Sequence, residues 1–140
     1  MALVARYLID TSAAARMHHP AVAERLTEII ELGLVATNPV LDAEALHSAR
    51  SSAEYEQLRH DRQLAYEYLP INDEHWQTAL EAQRALAHRG QHRAVGIPDL
   101  LTAAVAAEHQ VAVIHYDADF DTAAAVLDFR PEWVLPRGSL

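Results

Sequence analysis

Leu3-Val4-Ala5-Arg6-Tyr7-Leu8-Ile9-Asp10-Thr11-Ser12-Ala13-Ala14-Ala15 is the stretch on which the fold turns. The apolar run from Leu3 to Ile9 is too short for a globular helix and reads as a buried strand. Asp10 ends it, and Thr11, Ser12 and the alanines begin a helix. An acid at the tip of a buried strand is costly unless a cation, hydrogen bonds or chemistry compensates it. The pattern recurs in Val40-Leu41-Asp42-Ala43-Glu44, Ile97-Pro98-Asp99 and Val113-Ile114-His115-Tyr116-Asp117, where apolar residues again run into acids. Such acids, brought together, would build a site for a hard divalent metal.

Strands and helices alternate along the rest of the chain. Pro20 suits a first helical turn, and Val22, Leu26, Ile29 and Ile30 give that helix an apolar face that ends at Gly33. Leu34 to Thr37 reads as a second strand, and Asn38-Pro39 as N-cap and first residue of a helix from Val40 to about Ser48. Ser51-Ser52-Ala53-Glu54 matches a capping box for a further helix carrying Leu58, Leu64 and Tyr66. Tyr68 to Ile71 suits a short strand at an edge, because of Pro70. Asn72-Asp73 opens a helix through Trp76, Leu80 and Leu86, and the Gly-containing segment 88–96 reads as a loop. A helix from Pro98 to about His109, a strand over Val111 to His115, a helix from Phe120 to Leu127 and a strand at Trp133 to Leu135 complete the series. Strands separated by helices imply parallel pairing in an α/β sandwich, with any site beyond the carboxyl ends of the strands. The 140 residues fit a single domain, 1–140.

Composition narrows the chemistry. There is no cysteine, which excludes disulfides, thiolate metal sites and thiol nucleophiles. All eleven basic residues are arginine, which removes Schiff-base catalysis, a P-loop lysine and the lysine of a receiver domain. The formal net charge of −9 argues against a broad basic face for duplex binding, yet leaves room for a nucleic-acid substrate if metal neutralises the acids locally. No apolar run approaches a membrane span and the first residues lack a signal-peptide core, so a cytoplasmic protein with no membrane partner is expected.

Each acid also admits a plainer reading. Asp10 ahead of Thr11-Ser12, and Asp99 after Pro98, equally suit helix caps. Glu44 has mostly apolar neighbours, with Asp42 as the competing acid on its helix. Asp117, Asp119 and Asp121 alternate as in a calcium loop, but Thr122 and Asp128 stand where such a loop needs Gly and Glu. Among nine histidines no His-Glu-x-x-His occurs, and His115 is the one expected nearest the acids. Ser12 lacks a readable base partner, so hydrogen bonding at the site suits it better than nucleophilic attack.

Tyr7-Leu8-Ile9-Asp10-Thr11-Ser12-Ala13 resembles the opening motif of PIN-domain ribonucleases. Thr37-Asn38-Pro39-Val40 leading into Glu44, Ile97-Pro98-Asp99-Leu100-Leu101-Thr102-Ala103-Ala104 and Val113 to Phe120 extend the resemblance to VapC-type toxins over nearly the whole chain. The resemblance implies a PIN-like three-layer α/β sandwich with a central, mostly parallel sheet flanked by helices. It implies Asp10 and Asp99 as principal Mg²⁺ ligands, with Mn²⁺ able to substitute, and Glu44 and Asp117 as the remaining acids of the catalytic site. Thr11 or Ser12 would help organise that site, and Asp119 is a possible extra acid. A homodimer, an RNA substrate and a cognate VapB-type antitoxin whose tail covers the acidic groove follow from the same resemblance. The chemistry agrees: carboxylates suit Mg²⁺, and Mg²⁺ suits phosphodiester hydrolysis without a covalent intermediate. Arg50, Arg89 and Arg93 are candidate RNA contacts, although solvated surface charge explains them equally well. The competing functions are a non-catalytic PIN-like module binding a basic peptide and another metal-dependent phosphohydrolase.

Overall fold

A computed structural model describes residues 3–140. Five strands, β1 (Tyr7–Ile9), β2 (Val35–Thr37), β3 (Glu67–Tyr68), β4 (Ala112–His115) and β5 (Arg130–Trp133), form one sheet in the order β3-β2-β1-β4-β5. Every pairing is parallel, so the sheet is more uniform than the mostly parallel one expected. Parallel neighbours require crossovers, and seven helices among the described residues supply them: α1 (Thr11–Ala14), α2 (Pro20–Glu31), α3 (Pro39–His47), α4 (Ser52–Ala65), α5 (Asp73–Ala87), α6 (Ile97–His109) and α7 (Asp119–Ala124).

The pleat decides which helices cover which face. Leu8 pairs in register with Val113, and both pack with Leu41, Val105 and Phe120 from α3, α6 and α7. Ile9 pairs with Ile114, and both turn the other way toward Ala13, Val22 and Leu26 of α1 and α2. Behind α6 lies α5, where Ala79, Ala82 and Leu86 meet Leu100 and Leu101. Each fully buried Leu or Ile in these layers is worth about 1.5–3 kcal/mol of burial.

Local signals set most boundaries. Asn38 accepts from the Leu41 amide, and Pro39 takes the first turn of α3. Gly33, at φ +70°, closes α2 with its amide on Ile30 O while Leu34 N reaches Ile29 O. Ser51 caps α4, but the expected reciprocal contact is absent because Glu54 faces Arg50 at 3.5 Å. A reciprocal box forms instead at α5, where the side chain of His75, not Glu or Gln, accepts from Asn72 N. Of the apolar residues read on α4, Leu58 and the C-cap Tyr66 are partly buried and Leu64 is 75% exposed, so no α4 residue enters the core. The edges are short. β3 has two exposed residues, and at the other edge Arg25 of α2 donates to the carbonyls of Trp133 and Val134, both at 2.7 Å.

Candidate active site

β1 and β4 are adjacent and parallel, so Asp10 and Asp117 emerge at the same edge of the sheet. Pro39 and Pro98 start α3 and α6 in orientations that bring Glu44 and Asp99 toward those acids. The closest grouping is Asp99, Asp117 and Asp119, whose carboxylate oxygens lie within 4.8 Å of one another. Asp10 and Glu44 stand outside that trio, near enough for their charges to act on Asp99.

Asp10 is 5% exposed, and its Oδ2 accepts from Ser12 N at 2.9 Å and Ser12 Oγ at 2.6 Å. It therefore caps α1, as the plainer reading held, while standing in the acidic group. Ser12 Oγ also accepts from Tyr116 N at 2.9 Å, which joins the ends of β1 and β4 through one hydroxyl. Thr11 Oγ1 donates to Glu44 Oε2 at 3.0 Å, and Glu44 Oε1 is buried without a donor. Asp117 Oδ1 accepts from Asp119 N at 2.9 Å. Asp99 caps nothing: the N-cap of α6 is Gly96, and among the described residues the Asp99 side chain makes no hydrogen bond.

Electrostatics follow from this crowding. Burial first, then the charges of Asp10, Asp117, Glu44 and Asp119, push Asp99 up to about 7. Asp119 is raised by burial and by Asp117. Among the described residues, none of these five acids has an Arg or His nitrogen within ion-pair distance. A donor set made only of hard oxygens, a buried carboxylate oxygen without a partner and no nearby cation together fit a hard divalent ion.

His115 stands beside the acids, as expected, with its ring turned into the core. It lies buried between the rings of Phe120 and Trp133, centroids 5.0 and 4.8 Å away, and its Nδ1 accepts from Asp117 N. Burial lowers its pKa, so the imidazole is neutral and supports the backbone ahead of Asp117. Asp121 accepts from Trp133 Nε1 at 3.1 Å. Asp42 serves a different network, binding Arg62 at 2.9 Å and Thr37 at 2.8 Å beside a cleft of about 400 Å³ that Arg59 and Tyr66 also line. Arg50 is exposed beside Glu54, and Arg89 and Arg93 are exposed on the segment between α5 and α6. Sequence reasoning passed over Arg16, one helical turn after Ser12, whose guanidinium lies 4.5 Å from the Tyr116 ring centre.

Acids gathered beyond the strand ends of a sheet in this order are what a PIN domain presents. The family model described as PIN domain matches residues 7–126, and the chain belongs to that family. Within it the chain falls among the VapC proteins. It is 44% identical over 137 residues to Ribonuclease VapC21 of Mycobacterium tuberculosis, covering 98% of this chain and 99% of that one. It is 40% identical over 135 residues to Ribonuclease VapC51 of the same species, covering 96% and 97%. A crystal structure of VapBC-5 from Mycobacterium tuberculosis, a member of the VapBC family of toxin-antitoxin systems, shares the fold with a TM-score of 0.61 at 23% identity, covering 94% of this chain and 99% of that one.

Proposed function

We infer that this protein is a metal-dependent endoribonuclease, the toxin of a toxin-antitoxin pair, which hydrolyses RNA phosphodiester bonds and is neutralised by a VapB-type antitoxin. The observation that carries this reading is the group of five carboxylates made by Asp99 and its four acidic neighbours, with no cation of the described chain to balance them. The ribonuclease names of relatives that align over almost their whole length support the substrate class.

Asp10 and Asp99 are the proposed principal metal ligands, with Asp117 and Asp119 beside Asp99 and Glu44 completing the acidic wall. Mg²⁺, replaceable by Mn²⁺, suits these donors, since it binds through one or two carboxylates and substrate phosphate. When bound, the ion would supply Lewis-acid polarisation of the phosphodiester and acidify a water. The chain's own residues hold the geometry. Ser12 fixes the rotamer of Asp10, Thr11 orients Glu44, and the neutral His115 steadies the backbone amide of Asp117. Burial and its acidic neighbours favour a proton on Asp99, which a bound divalent ion would displace.

The same reading takes residues 1–140 as one PIN-like unit acting in the cytoplasm as a homodimer. Among the described residues no helix is long and apolar enough to cross a membrane. The test is cleavage of structured RNAs by antitoxin-free protein with Mg²⁺ or Mn²⁺, repeated with chelator and with Asp10→Asn. Cleavage indifferent to both treatments refutes the metal mechanism. No cleavage of any RNA, together with tight binding of a basic peptide, makes the protein a non-catalytic module, whereas turnover of small phosphoesters alone points to another phosphohydrolase.

A further inference from the structure

A site built of carboxylates repels the phosphodiester it must receive, so cations elsewhere on the chain have to hold the strand. Three arginines lie over aromatic rings: Arg16 over Tyr116, Arg62 over Tyr66 and Arg137 over Trp133. Arg62 is committed to Asp42 and Thr37. Arg16 and Arg137 have no acidic partner among the described residues, and the rings beneath them touch one another, Tyr116 meeting Trp133 edge to face at 5.3 Å and 88°.

This strip is wired into the acidic site. Arg16 Nη1 donates to Ser12 O at 2.6 Å, and Ser12 Oγ donates to Asp10. Tyr116 directly precedes Asp117, and its amide donates to the same Ser12 hydroxyl. Tyr116 Oη accepts from Leu140 N at 3.0 Å, and Trp133 Nε1 is held by Asp121, so both rings are fixed in place. Stacked guanidinium groups keep their outward N–H forks for phosphate, and aromatic faces accept bases of any sequence.

Resting on the ribonuclease reading above, we propose that Arg16, Tyr116, Trp133 and Arg137 form the strip that holds the RNA nucleotides flanking the cleaved bond. Arg16 and Arg137 contact phosphates, and the rings offer a small stacking surface. Two unpaired cations set on two touching rings match the repeat of a single strand, phosphate beside base, better than they match an acidic peptide. Arg16 is a positioning residue: it anchors substrate beside the acids and takes no part in bond cleavage.

Anisotropy of a labelled single-stranded RNA of about ten nucleotides, titrated with full-length Asp99→Asn protein in Mg²⁺ at several salt concentrations, reads the strip directly. Arg16→Gln and Arg137→Gln are each expected to weaken binding about five-fold or more and to lower the salt slope by about 1. In the otherwise native chain, Arg16→Gln is expected to raise KM for cleavage with kcat retained, and Arg16→Lys to recover part of the loss; a purely structural role would move the thermal midpoint and not the salt slope. Unchanged slope and KM in both variants overturn the strip even when the native chain cleaves RNA. A native chain that cleaves nothing overturns the ribonuclease reading, while the salt slopes still decide the strip. No RNA binding at all, or variants that lose only antitoxin affinity, overturn it as well.

Discussion

Thr11 Oγ1 donates to Glu44 Oε2 at 3.0 Å, tying the first residue of α1 to α3 while the other oxygen of Glu44 is buried with no donor. Thr11→Val keeps the shape and removes the only donor that Glu44 has among the described residues. Leaving a part-buried acceptor without its donor costs about 1–3 kcal/mol. Urea unfolding of chelator-treated protein is expected to show a loss in that range, with a fall in cleavage rate. An unchanged unfolding midpoint would mean that water already satisfies Glu44.

The raised Asp99 makes the chelated protein's stability depend on pH. The folded value of about 7 stands above the ordinary 3.8, so the native state keeps a proton that the unfolded chain releases between those values. The contribution is complete below about 4 and is lost as pH rises through 7. Asp99→Asn should flatten this part of the profile and make the chelated protein more stable than the native sequence at pH 8. Thermal midpoints across pH 4–8 measure it, and parallel profiles for the two proteins would contradict it.

Divalent metal should reverse that penalty. Mg²⁺ or Mn²⁺ is expected to raise the thermal midpoint in a concentration-dependent way and, at pH 6, to release protons measurable by calorimetry in buffers of different ionisation heat. Asp99→Asn and Asp10→Asn should blunt both signals and lower cleavage about 100-fold or more, roughly 3 kcal/mol of transition-state stabilisation. A full metal response in both variants would remove these two residues from the ligand set.

Arg62 predicts the opposite division of effects. Its bonds to Asp42 and Thr37 at 2.9 and 3.0 Å hold α4 to the end of β2, away from the acids. Arg62→Ala strands the half-buried Asp42 and is expected to cost about 1–3 kcal/mol in urea unfolding while kcat stays near its native value. A large loss of kcat without loss of stability would make Asp42 part of the chemistry.

Residues that carried two local signals at once were legible in the sequence. Asp10 ends an apolar run and opens a helix, and Asn38-Pro39 both caps and starts one, so α1, α3 and the end of β1 fall where expected. The strand read from Leu3 shrinks to Tyr7–Ile9, because Leu3 to Arg6 lie outside the paired register of the sheet. Tyr68 to Ile71 was harder, because an edge strand of two residues owes its place to β2 and to Leu69 N reaching Thr37 O, a partner 32 positions away. The acids could be named but not ranked. Local spacing says nothing of which carboxylates share a neighbour, and only the packing of α7 against α6 and β5 puts Asp119 with Asp99 and Asp117. The direction of the His115 ring was hidden for the same reason: strand parity, invisible until β4 has its neighbours, turns it into the rings of Phe120 and Trp133.

The order β3-β2-β1-β4-β5 places the first strand of the chain at the centre of the sheet, between the second and the fourth. Asp10 is synthesised early, yet its neighbour β4 and the residues Asp99, Asp117 and Asp119 come from the last third of the chain. Parallel pairing of such distant segments forms late, after the long loops between them have closed. A chain half synthesised therefore holds Asp10 and Glu44 without the three acids that gather beside them. Whatever chemistry this site performs is closed to the polypeptide until its own translation is nearly complete.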